Sequence, residues 1–548
     1  MDYYNGHEDF LDRIEKLNAI GIALSSQRNA PALLEMILQG AKSILNADGG
    51  TLYLASEDKQ HLIFEIIIND SLEIMMGGTT GVSIPFDPLP LYDREGKPNN
   101  NMVAAYAAIN HKTINIPDAY VAEGFDFSGT RAFDRKTGYR SQSFITVPMQ
   151  NHESELIGVL QLINAKDPRT GAIIPFSEQS RSLAESLASQ AAIALSNNRL
   201  IQEFRQLFES FIELMAEAID VKSPYNGKHC RRVPDLTMMI AEAVCKANYG
   251  IFKDFSMTEE ELYELKIAGL LHDCGKVTTP VHVIDKATKL QTIFDRIHLI
   301  DTRFEVLKRD AEIEFLNQKL AALESGNPQN VPSLEAKFQQ KIQQLNSDRT
   351  FLQKCNIGGE FMRDDLKERV LQIAKYEWVD TEGKLSPFLN ENEVYNLNIS
   401  RGTLTPEERQ IINDHIVVTI NMLTKLPYPK NLRRVPEYAG GHHERMDGKG
   451  YPKGLTREQM SVPARMMGIA DIFEALSSDD RPYKDAKTLT ECLQILGKMK
   501  QENHIDPDLF DLFVNEKVYL RYAEKYLHEY QIDQVDLTKI PGYTPPAV

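Results

Sequence analysis

Apolar residues recur at helical spacing over most of this chain and alternate with polar ones over a single N-terminal stretch. Residues 17–45 carry helical periodicity, whereas 50–54 and 61–68 read as two strands around a polar turn. Residues 113–118, 143–149 and 156–166 share the strand texture, so the pattern predicts an α+β unit in which helices flank an antiparallel sheet. From 178 to 222 the apolar positions, Leu183, Leu187, Ala191, Leu195, Leu200, Phe204, Leu207 and Phe211 among them, step mostly by three and four. Neither Pro nor Gly interrupts this run before Pro224. It predicts one long connecting helix, either paired with its copy in a homodimer or packed on its own domains.

Beyond that helix the strand texture ends. A helical run leads to His272, and another precedes Asp471. A third leads to His415, opened by Thr405 as cap, Pro406 in the first turn and Glu408 completing a capping box. Between roughly 286 and 401, Ile297, Ile300, Phe304, Leu316 and Leu320 mark a long amphipathic helix that Gly326-Asn327-Pro328 breaks. Phe338, Ile342, Leu345 and Leu352 mark a returning helix, and a shorter one follows near 364–376, so this stretch reads as a helical hairpin.

Composition narrows the classes. A chain of 548 residues is too long for one core and predicts at least two domains. Its formal charge of -17 excludes a polyanionic nucleic acid as partner, though a few cations could still make a positive pocket for a small anion. Five scattered cysteines without CxxC spacing read as reduced and exclude a zinc finger. The N-terminus reads as lacking a signal sequence, and no apolar run approaches the about 18 residues of a membrane helix, so a cytoplasmic protein away from the membrane is expected.

The chemistry lies in His272-Asp273 and, far downstream, in 442–452, which begins with adjacent imidazoles and turns through Gly448 and Gly450. Neutral imidazole suits divalent transition metals, and a carboxylate has two oxygens, which makes Asp273 the bridging candidate between two ions. One His-Asp pair is more often a core histidine beside a cap, but His229, His415 and Asp471 supply further ligand types. Gly275 permits a tight turn from which Lys276 projects its ammonium toward a bound anion.

As a set these residues resemble the HD-GYP phosphodiesterases over roughly 211–513, with the domain drawn as 211–520. The carrying motifs are Leu271-His272-Asp273-x-Gly275-Lys276, the His442 to Pro452 signature, and Ala470-Asp471-Ile472-Phe473-Glu474-Ala475-Leu476 followed by Arg481-Pro482-Tyr483-Lys484. The resemblance implies an all-α bundle in which one ion takes His229, His272, Asp273 and Asp471, and a second takes Asp273, His415, His442 and His443. Iron or manganese comes first among the metals it implies. Tyr225 stands where three-metal members carry Glu, which argues against a third ion. Asp273 and Lys276 become catalytic, and Lys276, Arg481, Lys484, Gly450, Tyr451 and Pro452 become substrate-binding. Glu444 and Asp447 orient the histidines or tie down the loop. The implied reaction is metal-dependent hydrolysis of cyclic di-GMP to the linear dinucleotide or GMP, or of the mixed guanine-adenine cyclic dinucleotide. A non-catalytic receptor, a mononucleotide phosphohydrolase and a di-iron oxygenase remain alternatives. Related sequences run directly through the region where this chain inserts 286–401, and the insertion is expected to gate the pocket or add dimer contacts.

The N-terminal part resembles a GAF sensor over roughly 12–198, carried by Ile114-Asn115-Ile116-Pro117-Asp118-Ala119-Tyr120 and the strand Gly158-Val159-Leu160-Gln161-Leu162-Ile163-Asn164. Residues 125–140, with Thr137-Gly138-Tyr139-Arg140, are similar to GAF domains that bind cyclic mononucleotides, so a cyclic nucleotide ligand and a purely dimerising role are both open. The predicted fold class is therefore multidomain: a GAF sensor, a connecting helix over 178–222, and an all-α HD-GYP bundle with a helical insertion.

Overall fold

The computed structural model describes residues 2–27, 29–222, 228–359, 361–479 and 486–546, with side chains described outside 2–10 and 220. The chain divides into two compact units, 1–207 and 208–548. No helix among the described residues is long and apolar enough to cross a membrane.

The N-terminal unit is built on an antiparallel sheet. Its strands are β1 (Ala47–Ala55), β2 (His61–Asn69), β3 (Ile74–Gly77), β4 (Leu89–Pro90), β5 (Ile114–Ile116), β6 (Phe144–Gln150), β7 (Leu156–Lys166) and β8 (Ile173–Ile174), in the order β3-β2-β1-β7-β6-β5, with β4 beside β2 and β8 beside β7. Residues 17–45 fall into two helices, α1 (Asp2–Ser26) and α2 (Ala30–Leu45), because Asn29 caps α2 by accepting the Ala32 N–H. Leu33, Ile37 and Leu38 of α2 pack with Leu52, Leu160 and Leu162 on one face of the sheet. The helix α3 (Val103–Asn110) packs with Tyr53, Leu62 and Val159, and α4 (Ser128–Thr137) follows β5. Neither α3 nor α4 was legible in the apolar pattern, since α3 is mostly small residues and α4 is mostly polar. The Tyr139 hydroxyl donates to Asp48 at 2.6 Å and accepts from Asn164 at 2.9 Å, which ties the segment after α4 to the sheet.

A single helix, α5 (Glu178–Lys222), contributes to both units. Leu183, Leu187 and Ala191 are buried in the N-terminal core, and Ile212, Ala216 and Ile219 in the C-terminal one. At about 3.6 residues per turn these buried positions share one face of the helix, and a second apolar set lies on another. Leu200, Phe204, Leu207, Phe211 and Leu214 remain exposed.

The C-terminal unit is helical. Its bundle comprises α6 (His229–Lys246), α7 (Glu259–Leu271), the short α8 (Val281–Ile284) and, after the insertion, α13 to α19. The insertion holds α9 (Ile297–Glu324), α10 (Val331–Asn356), α11 (Asp364–Ala374), the hairpin β9 (Glu377–Val379) with β10 (Leu385–Pro387), and α12 (Glu391–Leu397). The chain then continues through α13 (Pro406–Asn413), α14 (His415–Leu423), α15 (Val435–Gly440), α16 (Val462–Ser477), α17 (Leu489–Gln501), α18 (Pro507–Asn515) and α19 (Val518–Tyr526). Capping boxes open α7, α12, α13 and α17. Leu236 and Ile240 of α6, Leu265 of α7, Met466 and Phe473 of α16 and Phe513 of α18 share one buried core.

The insertion has a core of its own, in which Phe304 of α9, Leu345 and Leu352 of α10, Val370 of α11, Phe388 and Leu397 are buried together. Lys286 fastens it to the bundle, donating to Asn396 at 2.9 Å and to Glu408 of α13 at 2.7 Å. The exposed residues Ile313, Leu316, Leu320 and Leu323 lie on the outer part of α9, beyond this core. Phe304 is fully buried, with its ring centroid 4.6 Å from that of Phe388. Phe304→Ala is expected to cost about 3–5 kcal/mol in the insertion. Urea unfolding followed by the fluorescence of Trp378, the chain's only tryptophan and part of the insertion, checks this: an unchanged midpoint would contradict it.

Candidate metal centre

Three imidazoles are held in the same way. His272 follows α7 directly, and its Nδ1 lies 2.6 Å from the Gly269 carbonyl. His415 follows α13 by two residues, with Nδ1 2.5 Å from the Ile412 carbonyl. His442 follows α15 by two residues, with Nδ1 2.6 Å from the Ala439 carbonyl. The last carbonyls of a helix have no partner within it, and here a ring N–H three residues on satisfies one of them. A nitrogen that close to a carbonyl oxygen carries a proton, so Nε2 is the ring nitrogen left to face the site. Two of these helix ends, those of α7 and α15, place carbonyl groups beside one site, whereas His415 and His229 open helices of their own.

His229 is held differently. It opens α6, and its Nδ1 lies 2.6 Å from Oε2 of Glu474, a buried carboxylate on α16 one turn beyond Asp471. Glu474 stood in the quoted motif, but sequence reasoning gave it no role. The signal was its spacing of three from Asp471, which puts both carboxylates on one helix face.

Asp273 sits between two groups that could each hold a metal ion, one including His229, His272 and Asp273 and the other His415, His442 and His443. Its Oδ2 lies 3.2 Å from His229 Nε2 and 3.2 Å from His272 Nε2, while Oδ1 lies 3.1 Å from His415 Nε2. Asp471 Oδ1 is 3.2 Å from His229 Nε2 and 3.9 Å from His272 Nε2. Ligand atoms each about 2.1 Å from a shared ion and a right angle apart are about 3.0 Å from one another, so these separations fit the edges of a coordination polyhedron. Asp273 Oδ1, His415 Nε2 and His442 Nε2 are all buried without a hydrogen-bond partner. His415 Nε2 and Asp273 Oδ1 face each other across 3.1 Å, an arrangement that a cation between them would make favourable. The donor set therefore fits divalent transition ions.

Charge follows burial and neighbours. Burial holds the His442 imidazole well below its ordinary value, and the rings of His443 and His272 push the same way. Burial lowers His443 from the usual 6.5 to about 4. His229 goes the other way, because the carboxylates of Glu474, Asp273 and Asp471 outweigh its burial and hold it well above 6.5. Asp273 stays well below the carboxylate range, since Lys276 and His272 outweigh its burial. Asp471 is likewise lowered against its burial by His229 and His442.

The Lys276 ammonium lies at the centre, with Nζ 2.6 Å from Asp273 Oδ2. Gly275 is required there, because a Cβ would stand 2.0 Å from the His415 carbonyl oxygen and 2.7 Å from the Thr419 nitrogen. In the loop after His443, Tyr451 stacks on that imidazole at 4.8 Å and the Tyr451–Pro452 peptide is cis. A Cβ on Gly450 would meet the Arg445 nitrogen at 2.3 Å. Glu444 accepts the backbone N–H groups of Lys453 and Leu455 at 2.8 and 2.9 Å, and Asp447 accepts from Arg445 at 3.1 and 3.0 Å and from the Lys449 N–H at 3.1 Å. Both carboxylates thus fasten the loop rather than a ring nitrogen. Arg481, Lys484 and Tyr225 lie outside the described residues.

Comparison with known proteins agrees with this architecture. The GAF domain family matches residues 29–195, and two HD domain descriptions match 226–342 and 391–509. The chain thus carries a GAF domain followed by an HD domain. It is similar to 3'3'-cGAMP-specific phosphodiesterase 1 of Vibrio cholerae, 41% identical over 80 residues, covering 15% of this chain and 18% of that protein. It is also similar to 3'3'-cGAMP-specific phosphodiesterase 3 of the same organism, 39% identical over 111 residues, covering 20% and 23%. A third relative is the cyclic di-GMP phosphodiesterase of Thermotoga maritima, 34% identical over 113 residues, covering 21% and 30%. The matched stretches therefore span less than a third of these relatives' lengths.

The His443 shift has a direct consequence for metal-free protein. Its folded value, about 4, lies below the unfolded one of 6.5, so the unfolded chain binds the proton first and stability falls as pH drops from 6.5 to about 4. The loss from this group is on the order of 3 kcal/mol. In chelator-treated protein, the urea midpoint should fall across that window, and His443→Asn should flatten the slope; equal slopes would contradict the assignment.

Proposed function

We propose that this chain is a metal-dependent phosphodiesterase that hydrolyses a cyclic dinucleotide, cyclic di-GMP first, under control of its GAF domain. The observation that supports this most is Asp273, with one oxygen toward His229 and His272 and the other toward His415. His229, His272, Asp273 and Asp471 would hold one divalent ion, and Asp273, His415, His442 and His443 a second, iron or manganese by resemblance. Bound there, the pair supplies Lewis acidity and a hydroxide near neutral pH. The protein's part is to fix the ligands, through the three helix-end carbonyls and through Glu474 on His229. Lys276 neutralises Asp273 and offers a cation to a phosphate oxygen. In hydrolysis a water oxygen bonds to phosphorus, the P–O3′ bond breaks, and the proton passes to O3′ to give the linear dinucleotide. Gly450, Tyr451 and Pro452 shape the wall beside His443, where a base can lie against the Tyr451 ring. The 3'3'-cGAMP relatives make the mixed cyclic dinucleotide the second substrate to assay.

Asp273→Ala is expected to lose most bound metal and to lower turnover by more than about 100-fold, the upper scale on which even outer partners of metal ligands act. Elemental analysis of anaerobically purified protein, with cyclic di-GMP, 3'3'-cGAMP and GMP as compared substrates, checks it. Full metal content with full turnover in the variant sinks the reading, and turnover of GMP alone replaces it with a mononucleotide hydrolase.

The exposed stripe on α5 supports the homodimer. Ile193, Leu200, Phe204, Leu207, Phe211, Leu214 and Val221 are 50% to 76% exposed and recur in steps of seven, four, three, four, three and seven. That is a heptad seam, with leucines at alternate core positions and Asn197 occupying the phenylalanine register once, which sets the alignment of two parallel copies. A rotation of one copy against the other would carry a GAF signal to α6 and His229. Leu207→Glu with Leu214→Glu should convert a dimer to a monomer by sedimentation; an unchanged mass would refute this seam.

A further inference from the structure

Between the β9–β10 hairpin and α12, the insertion holds an open cleft of about 850 Å³. That is a small-molecule volume, and none of the metal-centre side chains lines it. The two HD descriptions end at 342 and resume at 391, so the hairpin wall belongs to neither.

The lining is one-sided in its chemistry. Trp378, Pro387, Val394 and Tyr395 supply apolar and aromatic surface, and Asp380 and Glu391 supply carboxylates. Among the described residues Arg303 is the one cationic side chain in the lining, and its charge is already taken: NH1 and NH2 each donate to Glu393 at 2.8 Å. Asn398 lines the cleft as well, and its Oδ1 is buried without a hydrogen-bond partner. The walls are fixed before any ligand arrives. Asp380 accepts the N–H groups of Glu382 and Lys384 at 2.9 and 3.0 Å and the Ser386 hydroxyl at 2.7 Å, and the Tyr395 hydroxyl donates to Glu407 at 2.9 Å.

Acceptors and aromatic faces with a net negative charge call for a ligand that is flat and apolar in body, rich in donors and positive at one end. The same charge repels a phosphorylated nucleotide, which separates this site from the metal centre. We propose that the cleft is a second binding site, for a small aromatic cation of the amidine or amine class. Its position next to α13, through Tyr395 and Glu407, places it where occupancy bears on the helix that leads to His415.

Trp378 is the only tryptophan among 548 residues, so the emission of the intact protein reads this cleft directly. Titration with benzamidine is expected to change that emission saturably, whereas benzoate, of the same size and opposite charge, leaves it unchanged. Asp380→Asn with Glu391→Gln should weaken benzamidine by at least tenfold. Glu391→Gln alone, at an exposed helix start that leaves the hairpin turn intact, should weaken it by about threefold, the scale of one exposed charge pair. A linear rather than saturable response, an equal response to benzoate, or unchanged affinity in Glu391→Gln would each overturn the proposal. The readout involves neither metal nor turnover, so its failure leaves the phosphodiesterase reading standing.

Discussion

Three hydrogen bonds from imidazole N–H groups to carbonyls three residues behind them decide what the C-terminal unit can do. Each ties a ring to the backbone turn behind it, and each leaves Nε2 as the nitrogen that faces the centre. The result is unfavourable without a further partner. His415 Nε2, His442 Nε2 and Asp273 Oδ1 are buried and unpaired, and a buried polar atom in that state costs about 1–3 kcal/mol. A fold that accepts such a cost in one cluster has a place there for positive charge beyond that of Lys276.

The fold class could be read from the chain because its two textures differ in period. Alternation over 50–54, 61–68 and 143–166 gives an antiparallel sheet, and steps of three and four give helices elsewhere. What the period misses is structure that is short, small or polar: α3 buries only modest side chains, α4 has hardly any apolar face, and β9 and β10 are three residues each. The seven side chains grouped from sequence lie together in the structure, since histidine and aspartate announce their chemistry by type. Glu474 and the helix-end carbonyls do not. A carboxylate spaced three from Asp471 is ordinary on any helix, and a backbone carbonyl leaves no mark in a sequence.

The connecting helix shows the same limit. Its apolar positions merge into one run because the helix changes partners along its length, from the sheet of the N-terminal unit to the bundle of the C-terminal one. Only burial separates the residues that pack within the chain from the apolar ones that stay exposed on another face of the same helix. The insertion is comparable. Lys286 joins it to α13 by one buried ammonium shared between Asn396 and Glu408, so a hundred residues with a core of their own meet the bundle at the helix that leads to His415.

Charge then explains how a chain with a formal net charge of -17 can receive an anion. Without ions, Asp273 and Asp471 are opposed by Lys276 and by the proton that Glu474 helps keep on His229. Two divalent ions held there, as proposed, would displace that proton and leave a strongly positive pocket. Since His442 and His443 are already neutral, the exchange demands little else of the ligands. On the proposed reading, attraction for an anionic substrate would therefore arise with the metal, at the centre itself rather than from the net charge of the chain.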